Sequence, residues 1–131
     1  MLGWFRKPKT AAPEPLRGAP PHPRLKTYSA QSGYVYQYYF AGQRAANGCV
    51  EYVFQVSADR KTESAVSVFL EDAIVDAWIL GSGCDLRGSH RYAIAKMALR
   101  NALDERPREQ ALAEVRPGAT EVAAILEELD A

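Results

Sequence analysis

The stretch GYVYQYYFAGQRAANGCVEYVFQVS, residues 33–57, alternates its side chains on either side of an Asn-Gly step. Tyr34, Tyr36, Tyr38 and Phe40 occupy one set of alternate positions, and Val35, Gln37 and Tyr39 the other. A period of two, with aromatic and β-branched residues enriched, predicts a strand over Gly33–Phe40. The pattern returns over Cys49–Ser57. There Val50, Tyr52, Phe54 and Val56 oppose Glu51, Val53, Gln55 and Ser57. Asn47-Gly48 predicts the turn between the two strands, because both residues tolerate positive φ.

Working outward, Asp59-Arg60-Lys61-Thr62 reads as a polar turn. Ala65–Leu70 reads as a third strand, with Val66, Val68 and Leu70 on one face. Three strands with short links predict an antiparallel meander. In residues 72–80, Ala73, Ile74, Ala77 and Trp78 have the spacing of a short amphipathic helix. A fourth strand is the alternative, and nine residues leave both open. Ser89 opens a long helix to about Arg106, with Tyr92, Ala95, Leu99, Ala102 and Leu103 on its apolar face and Pro107 as its stop. Arg108–Val115 reads as a further turn or two of helix. Thr120 caps a last helix that carries Val122, Ile125, Leu126 and Leu129 at i, i+3, i+4 and i+7. The expected fold class is α+β: a three-stranded antiparallel meander, with four strands as the alternative, followed by two or three helices packed on one face. The expected organisation is a single domain over residues 28–131 behind a disordered Pro-rich tail over residues 1–27.

Charge separates the same two parts. The chain has 16 basic and 16 acidic residues and no formal net charge. Residues 1–27 nevertheless carry Arg6, Lys7, Lys9, Arg17, Arg24 and Lys26 against Glu14 alone. The remainder is acidic by the same margin. Residues 8–23 hold six of the eight prolines, the composition of a semi-rigid spacer. Leu2, Trp4 and Phe5 are followed directly by Arg6 and Lys7. That makes Trp4, Phe5, Arg6 and Lys7 a candidate anchor for a membrane interface or for a groove on an acidic partner. Arg6, Lys7 and the nearby Lys9 supply about 1 kcal/mol each at an anionic surface, enough for weak, reversible peripheral contact. The apolar start is too short for a secretory signal, and no apolar run reaches the length of a membrane span. With Cys49 and Cys84 as the only thiols, the expected location is the cytoplasm, with peripheral contact at the inner face of a membrane as an option.

No motif for catalysis stands out. Cys84 and His90 are weak catalytic candidates, since no third orienting group is readable beside them. Cys49, Cys84, His22 and His90 do not have the spacing of a metal site, so no metal and no cofactor are expected. Gly81-Ser82-Gly83 followed by Gly88 matches neither the dinucleotide fingerprint nor the Walker A loop.

Two surfaces draw interest instead. Arg87, His90, Arg91, Lys96 and Arg100 form a candidate anion-binding set along the long helix. Cations at a helix start oppose its dipole unless an anion is bound. Strands followed by a helix opening Ser89-His90-Arg91-Tyr92-Ala93 resemble, over Gly33–Leu103, the second half of a double-stranded RNA-binding domain. The resemblance implies phosphate contacts from the helix start. The chain departs from that family at Ile94, where a lysine is expected. It also departs at residues 71–88, an insertion, and at the Pro-rich segment that replaces the family's first helix. The second surface is the other face of the sheet, where Val35, Tyr39, Val53 and Phe69 form a candidate interface stripe. The leading expectation is a non-enzymatic protein-interaction or adaptor module, with a protein partner or homodimer on that stripe. RNA binding through the start of the 89–106 helix is the first alternative, and a small Cys/His-dependent enzyme the second.

Overall fold

The computed structural model describes residues 14–105 and 112–129. Among the described residues, one sheet holds five strands in chain order: β1 (Lys26–Ser29), β2 (Val35–Ala46), β3 (Cys49–Ser57), β4 (Ser64–Glu71) and β5 (Glu114–Val115). β1 to β4 are antiparallel neighbours. β5 returns parallel to β4, with Ser67 opposite Glu114 and Val68 opposite Val115. The described residues also form three helices: α1 (Asp72–Ser82), α2 (Gly88–Glu105) and α3 (Ala119–Glu128).

The α+β class stands, and several details change. The sheet has five strands, not three or four. β1 includes Lys26 and Thr27, which sequence reasoning assigned to the tail, and it pairs with Val35–Tyr38. Four residues give too little periodicity to read. Long-range bonds fix β1 in place, because the Tyr28 hydroxyl donates to the Asp104 carboxylate at the end of α2, 2.8 and 2.9 Å from its two oxygens. Residues 72–82 are helix, so the fourth-strand alternative falls there. Glu114–Val115 is strand where a helical turn was expected, since β4 offers it a free edge. Gly118, not Thr120, is the N-cap residue of α3.

The alternation of residues 33–57 builds the core. Tyr38, Tyr52 and Phe54 join Val66, Val68 and Leu70 on one face of the sheet, and α2 lays Ile94, Ala95, Ala98, Leu99 and Leu103 across them. Ala95 and Ala98 have no bulk, so the helix backbone approaches the aromatic rings closely. Val75 of α1 and Val122, Ile125 and Leu126 of α3 close the same cluster. Each large side chain buried in this way contributes about 1.5–3 kcal/mol relative to exposure.

β2 runs six residues beyond the predicted end at Phe40, and it does so through a bulge. Phe40 faces Phe54 while Gly42 faces Val53, so Ala41 is the extra residue. A bulge shifts the alternation by one position. After it, Gln43 pairs with Tyr52 and Arg44 with Glu51, which sends Gln43 toward the helices and Arg44 to the opposite face.

On that opposite face, Glu51 is buried and accepts from Arg44 Nε at 2.8 Å. The Ser67 hydroxyl donates to its other oxygen. The Arg44 hydrogen bond, helped by Ser67, holds the Glu51 carboxyl below its ordinary pKa although burial opposes this. A depressed folded pKa gives stability that is full above the ordinary carboxylate range and lost as pH falls through the folded value. Glu51→Gln is therefore expected to lower unfolding stability by about 1–2 kcal/mol at neutral pH. Denaturant midpoints of parent and variant should converge as the solution is acidified, and a gap that stays constant would contradict this assignment.

Candidate functional site

A groove of about 550 Å³ opens between α2 and the bulged half of β2. Tyr38, Phe40 and Gln43 of β2 line one side, Ser89, Tyr92 and Lys96 of α2 the other. Gly18, Pro20 and Arg24, with Lys26 of β1, form its rim. β2 and α2 run in opposite senses along it. Phe40 and Tyr92 meet edge to face at the middle, their ring centroids 5.0 Å apart. At one end, Arg100 donates from Nε and Nη2 to the Tyr38 hydroxyl at 3.2 and 2.9 Å.

The rim exists because the chain before β1 is tied to β2. Arg17 and Gln43 exchange backbone hydrogen bonds of 2.9 and 2.8 Å. Gly42 makes room for this. Its φ is +133°, and a Cβ there would lie 2.8 Å from Leu16 Cβ and 3.0 Å from the Arg17 carbonyl oxygen. Residues 16–18 thus belong to the sheet edge, and residues 20–24 cross the mouth of the groove.

The groove carries positive charge. Arg24, Lys26 and Lys96 line it, and among the described residues no carboxylate does; Arg100 adds a charge behind Tyr38. None of the three lining cations forms an ion pair among the described residues. Burial, then the nearby Arg100 and Lys26 charges, hold the Lys96 ammonium below its ordinary pKa.

The five-residue anion-binding set predicted from sequence is split by this geometry. Lys96 and Arg100 flank the groove. Arg91 lies on the side of α2 that faces Tyr52, whose hydroxyl feels its charge. Arg87 is exposed, and its backbone N–H donates to His90 Nδ1 at 3.3 Å. Lys26 and Arg24, the cations that join Lys96, escaped sequence reasoning because they sat in a segment read as a leash.

The predicted interface stripe is not one open surface. Val35 is exposed at 48% and Tyr39 partly so, its hydroxyl donating to Glu63 at 3.1 Å. Val53 is buried at 6%, and the Arg116 guanidinium lies 4.1 Å over the Phe69 ring. Cys84 is exposed on the α1–α2 connection, and Cys49 is half-buried; both are free thiols. The contact found for His90 Nδ1 is the Arg87 N–H, not Cys84. Trp4, Phe5, Arg6 and Lys7 lie outside the described residues. No helix among the described residues is long and apolar enough to cross a membrane.

A second groove, of about 340 Å³, separates α1 from α3. Its lining is apolar throughout: Ala73, Ile74, Ala77 and Trp78 from α1, Ala119, Val122 and Ala123 from α3. Leu80, 87% exposed, follows Ala73 and Ala77 on the same side of α1. The charged residues of these two helices are Asp72, Asp76, Glu121, Glu127 and Glu128, with no Lys or Arg.

Comparison with protein-family models, with curated proteins and with solved structures finds no match. The two grooves therefore carry the functional reading by their own chemistry.

Gly42→Ala should lower stability by about 1–3 kcal/mol, from positive φ and the close approach of Leu16. It should also free residues 16–18 from the sheet edge. Hydrogen exchange at the Arg17 and Gln43 amides reports that release, and protection unchanged from the parent would contradict the role given to Gly42.

Proposed function

We propose that this protein is a non-enzymatic interaction module that docks a partner protein in the groove between α1 and α3. The observation that carries the reading is the pairing of an apolar lining with charged groups of one sign. Ala73, Ala77, Ala119 and Ala123 keep the groove shallow, so a partner backbone approaches closely. Trp78, Ile74 and Leu80 supply apolar area. The charged residues of α1 and α3 are all carboxylates, although Glu121 turns away from the groove to accept from Asn101.

This chemistry selects a segment in which large apolar side chains stand beside Lys or Arg. Apolar burial supplies the affinity, and opposite charge sets orientation and encounter rate. Leu2, Trp4, Phe5, Arg6, Lys7 and Lys9 of this chain have that composition, which makes the peptide MLGWFRKPK a suitable probe. The interaction surface first expected at Tyr39, Val53 and Phe69 thus moves to the helical side of the molecule. There the apolar atoms are open and the charge is uniform.

A labelled MLGWFRKPK peptide is titrated into the full chain carrying Trp4→Ala and Phe5→Ala, so that the chain's own segment does not compete. Saturable binding is expected, with Ala77→Arg weakening it by about tenfold or more through bulk and repulsion. Ala77 is exposed, so this variant should keep the parent circular dichroism and unfolding midpoint. Binding that fails to saturate, or that ignores Ala77→Arg, overturns the proposal.

A further inference from the structure

We infer that the cationic groove between α2 and β2 is a binding site for a nucleotide: a phosphate beside a flat heterocycle. This is a separate site from the α1–α3 groove and does not depend on the function proposed there. The inference rests on how the antiparallel run of β2 and α2 sorts groups along the groove. At one end stand Lys26 and Lys96, with Arg24 on the rim above; Arg100 lies behind them, bonded to the Tyr38 hydroxyl. In the middle stand the partly exposed Phe40 and Tyr92 rings. At the other end stand the Gln43 amide and the Ser89 hydroxyl, beside the first turn of α2.

Each part matches one part of such a ligand. Arg24, Lys26 and Lys96, with no carboxylate among the described lining residues, leave a positive region that a phosphate neutralises. Asp104, one helical turn beyond Arg100, is turned toward the β1–β2 hairpin, where it accepts from the Tyr28 hydroxyl and from the Gln31 backbone N–H at 2.8 Å. The mutual repulsion of Lys96, Lys26 and Arg100 is relieved when an anion sits between them. Aromatic side chains stack on any base, because every base has a π face. Gln43 has two donors and one acceptor for a base edge, and Ser89 adds a hydroxyl near the positive end of the helix dipole. A volume near 550 Å³ lies within the range of small-molecule clefts.

The same chemistry comes from a free nucleotide or from one unit of a single strand. An acidic peptide shares the charge but lacks the ring. Binding of AMP, adenosine, inorganic phosphate, an oligo(rA) strand and an oligoglutamate peptide to the full chain is measured by calorimetry. AMP is expected to saturate, with adenosine and phosphate each weaker by about tenfold or more, because each keeps half of the contacts. Lys96→Ala and Arg24→Ala should each weaken AMP by about tenfold. Arg87→Ala, exposed and away from the groove, should leave it unchanged. An oligo(rA) affinity well above that of AMP, falling steeply with salt, assigns the site to a strand. An oligo(rA) affinity equal to that of AMP assigns it to the free nucleotide. The inference is overturned if neither AMP nor oligo(rA) saturates, if Lys96→Ala has no effect, or if oligoglutamate binds as tightly as AMP with the same dependence on Lys96.

Discussion

The structure depends on one packing event, the closure of α2 over the aromatic face of β2, β3 and β4. Tyr38, Tyr52 and Phe54 form a broad apolar surface that a single sheet cannot hide from water. α2 covers it because Ala95 and Ala98 lie between Ile94 and Leu99, so the helix sits low and its larger side chains fill the flanks. Everything else is arranged around that contact. The end of α2 is held by the Tyr28–Asp104 bond and by Ser32, whose hydroxyl donates to the Leu103 carbonyl. Those bonds pin the β1–β2 hairpin to the helix and fix the depth of the groove beside it.

The bulge at Ala41 divides the labour of β2. Before it, alternate residues feed the core. After it, the faces exchange, and two polar residues that would otherwise stand on the wrong sides find uses. Gln43 reaches the groove, and Arg44 reaches Glu51. The unshifted register would turn Arg44 toward Tyr92 and the helices, where its charge has no partner at hand. Gly42 then lets residues 16–18 join the sheet edge, so one backbone irregularity serves both the part-buried ion pair and the rim of the groove.

Zero net charge conceals a spatial separation. α1 and α3, whose charged residues are all acidic, frame an apolar groove, while Arg24, Lys26 and Lys96 line a groove that holds aromatic rings. The two grooves thus differ in charge, so electrostatics favours opposite kinds of occupant at each. The proposed module therefore has the means to hold a cationic segment on one side and an anionic ring-bearing ligand on the other.

The sequence by itself determined the class of fold, the β2–β3 hairpin, β4, the length of α2 and the apolar face of α3. These follow from periodicity within continuous segments, where burial imposes a pattern on neighbours in the chain. It also placed Lys96 and Arg100 among the anion-binding candidates, because a helix start rich in cations is a local signal. The tertiary structure decided the rest. β1 and β5 are too short to carry a period and exist only because β2 and β4 offer them edges. Arg24 and Lys26 join Lys96 because the chain folds back across α2. Arg87 and Arg91 part from Lys96 because a helix turns its residues to different sides. Val53 and Phe69, apolar and rightly placed on the outer face, are closed off there, Phe69 by an arginine more than forty residues away in the chain. A pattern records which way a side chain points; what meets it is settled only when distant segments come together.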